Sequence, residues 1–153
     1  MQIRGEDMEI TRATIQTVKQ TAKLFDQYRQ FYKQAHDLSG AEAYITERLE
    51  KDDSVIFLAK DGDDYVGFTQ LYPTFSSIGM KRAWILNDLY VAKSARKQGV
   101  GEKLLDAAEA FARETGAGSI ALSTAPDNEK AQRLYERKGY ERDQQFYHYE
   151  FTL

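Results

Sequence analysis

Hydrophobic and polar positions change period several times along the chain. Met8-Glu9-Ile10-Thr11-Arg12-Ala13 alternates, which predicts a short strand. From about Ile15 to Gln34, Val18, Ala22, Phe25, Tyr28, Phe31 and Tyr32 recur at three- and four-residue steps, the spacing of one helix face. Ser39-Gly40-Ala41-Glu42 carries a capping-box pattern, so a second helix is expected to begin there, carry Ile45 and Leu49, and end near Asp52-Asp53. Val55-Ile56-Phe57-Leu58-Ala59 reads as a buried strand. Asp61-Gly62-Asp63-Asp64 predicts a hairpin turn into a strand from Tyr65 to Tyr72, and a turn near Ser77-Ile78-Gly79 leads to another from Trp84 to Val91.

A polar loop, Lys93 to Gly101, then precedes a strongly amphipathic helix with Leu104, Leu105, Ala108, Phe111 and Ala112 on one face. Gly116-Ala117-Gly118 ends that helix, and Ser119-Ile120-Ala121-Leu122-Ser123 predicts a further strand. Asp127 is placed to cap a short helix reaching about Lys138, closed by Gly139. Tyr147, Tyr149, Phe151 and Leu153 alternate at the period of a last strand. Pro73 and Pro126, the only prolines, should fall at element edges or bulges. The order β-α-α-β-β-β-α-β-α-β describes an α+β fold of three layers, with helices on both faces of a sheet.

Composition narrows the function classes. The 153 residues suit one domain, taken as 8–153 with 1–7 as an N-terminal extension. With no cysteine, disulfides, thiolate metal sites and cysteine nucleophiles are excluded, and a reducing cytoplasm is the natural compartment. The net charge of −3 weighs against nucleic-acid binding and permits a cationic small molecule. His36 and His148 are the only histidines, too few and too far apart for a histidine metal site or a Ser-His-Asp triad, so no metal is expected. No apolar run approaches the roughly 20 residues of a membrane span, and the acidic start from Met1 to Asp7 lacks the apolar run of a signal peptide.

The chemistry is concentrated between Val91 and Leu105. A strand runs into Arg96-Lys97-Gln98-Gly99-Val100-Gly101 and straight into a helix. Glycines there let backbone N–H groups converge on a concavity, and the helix N-terminus adds free donors and the positive end of its dipole. Such a loop suits a diphosphate. There is neither a G-x-x-x-x-G-K-[ST] nor a G-x-G-x-x-G pattern, so neither a Walker-type nor a dinucleotide site is indicated. Two glycines alone would serve equally to cap a helix.

A second constellation changes that balance: Asn128-Glu129-Lys130-Ala131-Gln132-Arg133-Leu134-Tyr135-Glu136-Arg137-Lys138-Gly139-Tyr140. With it the chain resembles the GNAT superfamily of acetyl-CoA-dependent N-acetyltransferases. Arg96 to Gly101 matches that family's [RQ]-x-x-G-x-[GA] loop, and Asn128, Ala131, Leu134, Tyr135, Gly139 and Tyr140 match its second signature in register. The resemblance covers Met8 to Leu153 and is most specific from Asn87 to Tyr140. It implies a mixed, mostly antiparallel sheet of six to seven strands in which the parallel strands Leu86–Val91 and Ser119–Ser123 splay apart. Acetyl-CoA would lie in that cleft as cosubstrate. Its pantetheine would pair with the backbone of Leu89, Tyr90 and Val91, and its diphosphate would rest on Lys97, Gln98, Gly99, Val100, Gly101 and Glu102. Arg96 would add charge, and Asn128 would hold the pantetheine from the other side. The family often forms homodimers, and the aromatic last segment would offer a surface for one.

Amine acetylation sets chemical requirements. A primary amine with a pKa near about 10 must lose a proton to attack, and the leaving thiolate benefits from a donor. Tyr135, on the matched signature, is the candidate acid. The base is harder to assign. The entering strand most resembles the diamine (spermidine/spermine) branch, which carries Glu-Asp before two aromatics and Val. Here the run is Asn87-Asp88-Leu89-Tyr90-Val91, and Asn87 cannot titrate. Either Asp88 or a water chain is the base, and strand neighbours are expected to face opposite sides. A sheet carboxylate paired with a cation is the alternative for Asp88. Tyr28, Phe31 and Tyr32 have core spacing, with the alternative that Tyr28 and Tyr32, beside Asn87, line the acceptor site, where an amine would meet ring faces. His36-Asp37 reads as a polar loop, Trp84 as packing and His148 as structural.

The expected activity is acetyl transfer from acetyl-CoA to a primary amine of a small molecule, a polyamine, amino acid or similar, by direct attack. Alternatives are a catalytically silent acyl-CoA sensor, an acetyltransferase of peptide or protein amino groups, and a structural α+β domain in which both motifs are caps.

Overall fold

The structure, a computed structural model, describes residues 8–153; the segment 1–7 lies outside the described residues. The chain divides into two compact units, one ending at Leu122 and the other Ser123–Leu153.

In the first unit five strands form one sheet in sequence order: β1 Met8–Arg12, β2 Val55–Asp61, β3 Asp64–Ser76, β4 Lys81–Val91 and β5 Ile120–Ala121. All neighbours are antiparallel except β4 and β5, which run parallel. Alternation splits β2 between two cores. Ile56 and Leu58 join Leu24, Ile45 and Phe68 on one side, whereas Ala59 joins Val66, Val100 and Leu104 on the other. The first core carries α1 (Val18–Phe31) and α2 (Leu38–Lys51), and the second carries α3 (Val100–Glu114).

The helix starts follow capping chemistry. Thr14 and Thr17 form a reciprocal capping box on a 3-10 turn ahead of α1. The second helix starts earlier than its Ser39 pattern predicts. Asp37 is the N-cap and its Oδ1 accepts from Gly40 N at 2.9 Å, a charged acceptor at the positive end of the helix dipole.

Strand β3 runs four residues past the predicted Tyr72. Pro73 pairs with Trp84 beyond Val55↔Leu71, the last β2–β3 pair, so its missing N–H costs no bond to β2. Gln70 faces Asp88 but Leu71 faces Leu86, so Asn87 is an extra residue in β4, a β-bulge. The predicted strand at 119–123 contracts to Ile120–Ala121. It pairs at Trp84↔Ile120 and Ile85↔Ala121 and then stops, so Leu86–Val91 run on without β5 beside them. Trp84 packs as expected, its ring 5.2 Å from Phe111 and its Nε1 donating to Thr115 Oγ1 at 2.9 Å.

In the second unit α4 spans Glu129–Arg137. Its N-cap is Asn128 rather than Asp127, with Oδ1 accepting from Ala131 N at 3.2 Å. Gly139 has φ +98°, the left-handed closure that its position predicts. The expected last strand is not formed: residues 138–153 hold neither helix nor strand, and Tyr147, Tyr149, Phe151 and Leu153 are exposed. Alternation marks a face, but a strand also needs a hydrogen-bonded partner. The described residues therefore form a five-stranded sheet instead of six to seven. No described helix is long and apolar enough to cross a membrane.

Candidate active site

The expected cofactor residues of the first unit gather where β4 runs out. Ala92 N donates to Val66 O at 2.8 Å and Thr69 Oγ1 donates to Asp88 O at 2.8 Å, so positions 88 and 92 turn their main chain toward β3. Strand alternation then turns the main-chain groups of Leu89 and Val91 toward the edge that β5 leaves open. The side chains of Leu89 and Val91 pack in the α3-side core, and that of Tyr90 packs in the other.

The loop that follows is shaped by two left-handed residues, Lys97 (φ +65°) and Gly99 (φ +76°). Gly99 is the N-cap of α3 and no side chain caps the helix there. A Cβ built on Gly99 would meet nothing within 4 Å, so the space in front of the first turn is clear. Val100 is buried and, with Gly101 and Glu102, opens the helix whose first-turn N–H groups point toward that space. Gln98 Oε1 is buried without a hydrogen bond. Arg96 is anchored: its Nε donates to Val91 O at 2.9 Å, and its guanidinium lies 5.5 Å from the Phe31 ring and 5.8 Å from the Tyr90 ring. The terminal N–H groups of its fork are what it can offer an anion.

Gly67, on β3 beneath this loop, permits the close seating of α3. A Cβ there would lie 2.9 Å from Tyr90 O, 3.3 Å from Leu104 Cδ1 and 3.4 Å from Val100 Cγ1.

Asp88 lies on the α1/α2 face of the same strand and is buried, with 5% of its surface exposed. Its Oδ2 accepts from Gln70 Nε2 at 2.9 Å and its Oδ1 from Asn87 Nδ2 at 3.1 Å, and Tyr28 hydrogen-bonds it as well. Burial pushes the carboxyl above the usual carboxylate range, and the three hydrogen bonds oppose that rise. The expectation that Asn87 and Asp88 point apart fails here because the bulge breaks strict alternation. Among the described residues no cation partners Asp88, so there it is not the paired sheet carboxylate weighed as its alternative.

Aromatic hydroxyls crowd the same face. Tyr44 and Tyr72 share a hydrogen bond at 2.6 Å, and burial followed by that bond raises the Tyr72 pKa. The Tyr28 ring sits 5.6 Å from Phe68 and 6.2 Å from Tyr90. Phe31 and Tyr32, the last residue and the C-cap of α1, are 57% and 52% exposed, which corrects the core assignment of the stripe: of the three, Tyr28 packs against the core. His36-Asp37 forms the expected polar loop. Buried Asp26 holds it, with Oδ2 at 2.5 Å from His36 Nδ1 and Oδ1 accepting from Asp37 N at 2.9 Å.

Two expected site residues belong to the second unit. Tyr135 lies on α4 with its ring 6.0 Å from that of Tyr140. Asn128 spends its Oδ1 on capping α4. Gln70, Tyr72, Tyr44 and Gly67 were not singled out in the sequence. For Gln70 a signal existed, since an amide flanked by Phe68-Thr69 and Leu71 on a strand of apolar runs, if buried, must find a partner. Among the described residues, no three His, Asp or Glu side chains gather to hold a metal.

The model of the acetyltransferase (GNAT) family matches residues 21–140. The chain is 51% identical over 142 residues to the uncharacterized N-acetyltransferase YhfO of Bacillus subtilis (strain 168), covering 93% of this chain and 95% of that one. The crystal structure of a protein described as a probable acetyltransferase superposes with a TM-score of 0.90 at 44% identity, over 95% of this chain and 97% of that one. An aminoglycoside N-acetyltransferase in complex with CoA shares the fold, with a TM-score of 0.79 at 21% identity over 95% of each chain.

Proposed function

The chain belongs to the GNAT acetyltransferase family, and on that premise we propose that it moves the acetyl group of acetyl-CoA onto a primary amine of a small molecule by direct attack. The observation that carries this reading is the double use of β4. Its open main-chain edge at Leu89 and Val91 leads into a helix start free of any side-chain cap, and its one buried carboxylate, Asp88, turns to the aromatic face. The edge suits an extended amide arm added as a strand. The residues of the loop fit a diphosphate: clear space before Gly99, a helix start with no side-chain cap and a cationic rim of Arg96 and Lys97.

A primary amine is mostly protonated at about pH 7. One proton must leave before attack, and Asp88 is the proposed acceptor, a carboxylate made a stronger base by burial. The amine nitrogen then bonds to the acetyl carbon, the C–S bond breaks, the second proton is lost and the sulfur takes one up. Tyr135 is the proposed donor, on the strength of its motif. The Tyr28 ring and, at the exposed end of α1, Tyr32 offer faces to a cation. A small cationic amine is therefore favoured, polyamines and amino acid derivatives included.

The test is CoA release measured across polyamines, amino acids, aminoglycosides and peptides, with wild type and Asp88→Asn. The expected result is amine-dependent release, lowered roughly 10²- to 10⁴-fold in the variant. Acetyl-CoA binding without amine-dependent release would instead favour a silent sensor, and activity on peptides alone would move the acceptor to protein amino groups.

A further inference from the structure

We infer that Gln70 is a positioning residue for the acetyl transfer, fixing Asp88 in its ionised, proton-accepting orientation. This rests on the proposed role of Asp88 as base. The inference starts from where an amide has been placed. Gln70 is fully buried in the middle of β3, between Phe68 and Leu71, which are also fully buried. A side chain there is easily apolar, and a buried amide is costly unless both of its ends are satisfied. Here only one end is. Nε2 donates to Asp88 Oδ2 at 2.9 Å, while Oε1 is buried with no hydrogen-bond partner. Leaving a buried carbonyl unmet is a cost that folding alone does not explain, because an apolar residue of the same shape would avoid it. What the amide supplies in return is one directed donor to one carboxylate oxygen.

The register supports the assignment. Gln70 and Asp88 face each other directly across the β3–β4 ladder, on the last pair before the bulge. The bulge frees Asn87 to hold Oδ1 at 3.1 Å. Two amides therefore hold the two oxygens of one carboxylate, and both can only donate through nitrogen to an ionised group. The titratable and charged groups around Asp88 are Tyr28 from α1, Tyr72 from β3, Tyr44 and Arg48 from α2 through Tyr72, and Tyr90 further along β4. Of these, only Arg48 is a cation. Donated hydrogen bonds are thus the main force opposing the rise that burial imposes on the Asp88 carboxyl.

The experiment compares wild type with Gln70→Met, which keeps the volume and removes the donor. It reads the pH dependence of kcat at saturating acceptor, and the ¹³C carboxyl titration of Asp88 in labelled protein, which needs no turnover. Removing a donor to the anion should move the Asp88 titration and the acidic limb to higher pH. On that limb the rate should fall roughly tenfold or more, as expected for a lost hydrogen bond to a charged group, and it should recover on the alkaline plateau. A merely structural role would lower Tm and rate at every pH alike. Gln70→Leu is the second variant should the Met chain fail to fold. If Asp88→Asn removes the limb and the Gln70 variants leave both titrations where they are, the positioning role is overturned while the base assignment stands. If Asp88→Asn leaves the limb in place, the base assignment falls and this inference falls with it.

Discussion

Gly67→Ala is the sharpest test of how the sheet builds the proposed cofactor loop. In an ordinary strand, replacing glycine by alanine stabilises by about 0.4–1 kcal/mol, because the unfolded chain has fewer conformations to lose. At Gly67 the added Cβ would stand 2.9 Å from Tyr90 O, closer than real Cβ atoms come. That atom is main chain, inside a paired strand, so no rotamer change relieves the contact. The next neighbours, Leu104 Cδ1 at 3.3 Å and Val100 Cγ1 at 3.4 Å, belong to the first turns of α3 and are fully or almost fully buried. Relief must come from lifting α3 or bending β4. Overpacking of this kind costs about 1–3 kcal/mol and outweighs the entropic gain. At about 2–4 °C per kcal/mol for a chain of this size, Tm should fall by several degrees. The displacement acts on Val100 and Tyr90, so acetyl-CoA should also bind more weakly. The assay is thermal unfolding with and without acetyl-CoA, since a ligand bound only by the folded state raises Tm in proportion to its occupancy. A variant with unchanged or raised Tm and the wild-type ligand shift would show that Gly67 does not set the seating of α3.

Gly99→Glu should abolish the acetyl-CoA-induced rise in Tm, since it forces a side chain into a left-handed position and aims a carboxylate into the space before the helix start; a retained rise would remove the loop as the diphosphate site. Tyr135→Phe should lower kcat roughly 10²- to 10⁴-fold with acetyl-CoA affinity kept, and near wild-type turnover would exclude Tyr135 as the acid. Asp88 also makes a stability prediction. Its folded pKa is raised, so the folded state holds the proton more tightly and stability falls as pH climbs from the ordinary carboxylate range through the raised value. The Tm of Asp88→Asn should therefore gain on wild type as pH rises above about 4, the ordinary carboxylate value, and a constant difference would contradict a pKa raised by burial.

Periodicity located the helices and the hairpin strands because each buries one continuous face. The amphipathic run from Leu104 to Ala112 could hardly be anything but α3, and Asp61 to Asp64 could hardly be anything but a turn. Boundaries failed where two residues competed for one job. Asp37 displaced Ser39 as a cap, and Asn128 displaced Asp127. The last strand failed for a different reason: alternation at 147, 149, 151 and 153 is local, while pairing depends on a partner elsewhere in the chain. The proposed phosphate loop was legible because it is contiguous. The proposed acceptor face was not, since Tyr28, Tyr44, Gln70, Tyr72 and Asp88 come from α1, α2, β3 and β4 and meet only through strand register. Phe31 and Tyr32 misled because helical spacing says which face a residue occupies, while these two stand at the exposed C-terminal end of α1.

On the proposed function, the bulge at Asn87 lets one strand serve both substrates. In a regular strand Trp84 and Asp88, four residues apart, would share a face. Here Trp84 packs on Phe111 of α3 and its C-cap Thr115, while Asp88 meets Tyr28 of α1 and Gln70 on the opposite side. One extra residue inverts the alternation between them. The first half of β4 can thus anchor to α3 and pair with β5, and the second half can turn its carboxylate toward the aromatic face. The same step leaves the main chain of Leu89 and Val91 on the open edge, at right angles to the Asp88 side chain. A thioester laid along that edge and an amine approaching from the aromatic face would then converge on a single strand, with Asn87 itself donating to the carboxylate that the bulge has turned. The amide found where the diamine branch has glutamate is on this reading no defect of the site, because Asn87 replaces a second negative charge with a donor to the first.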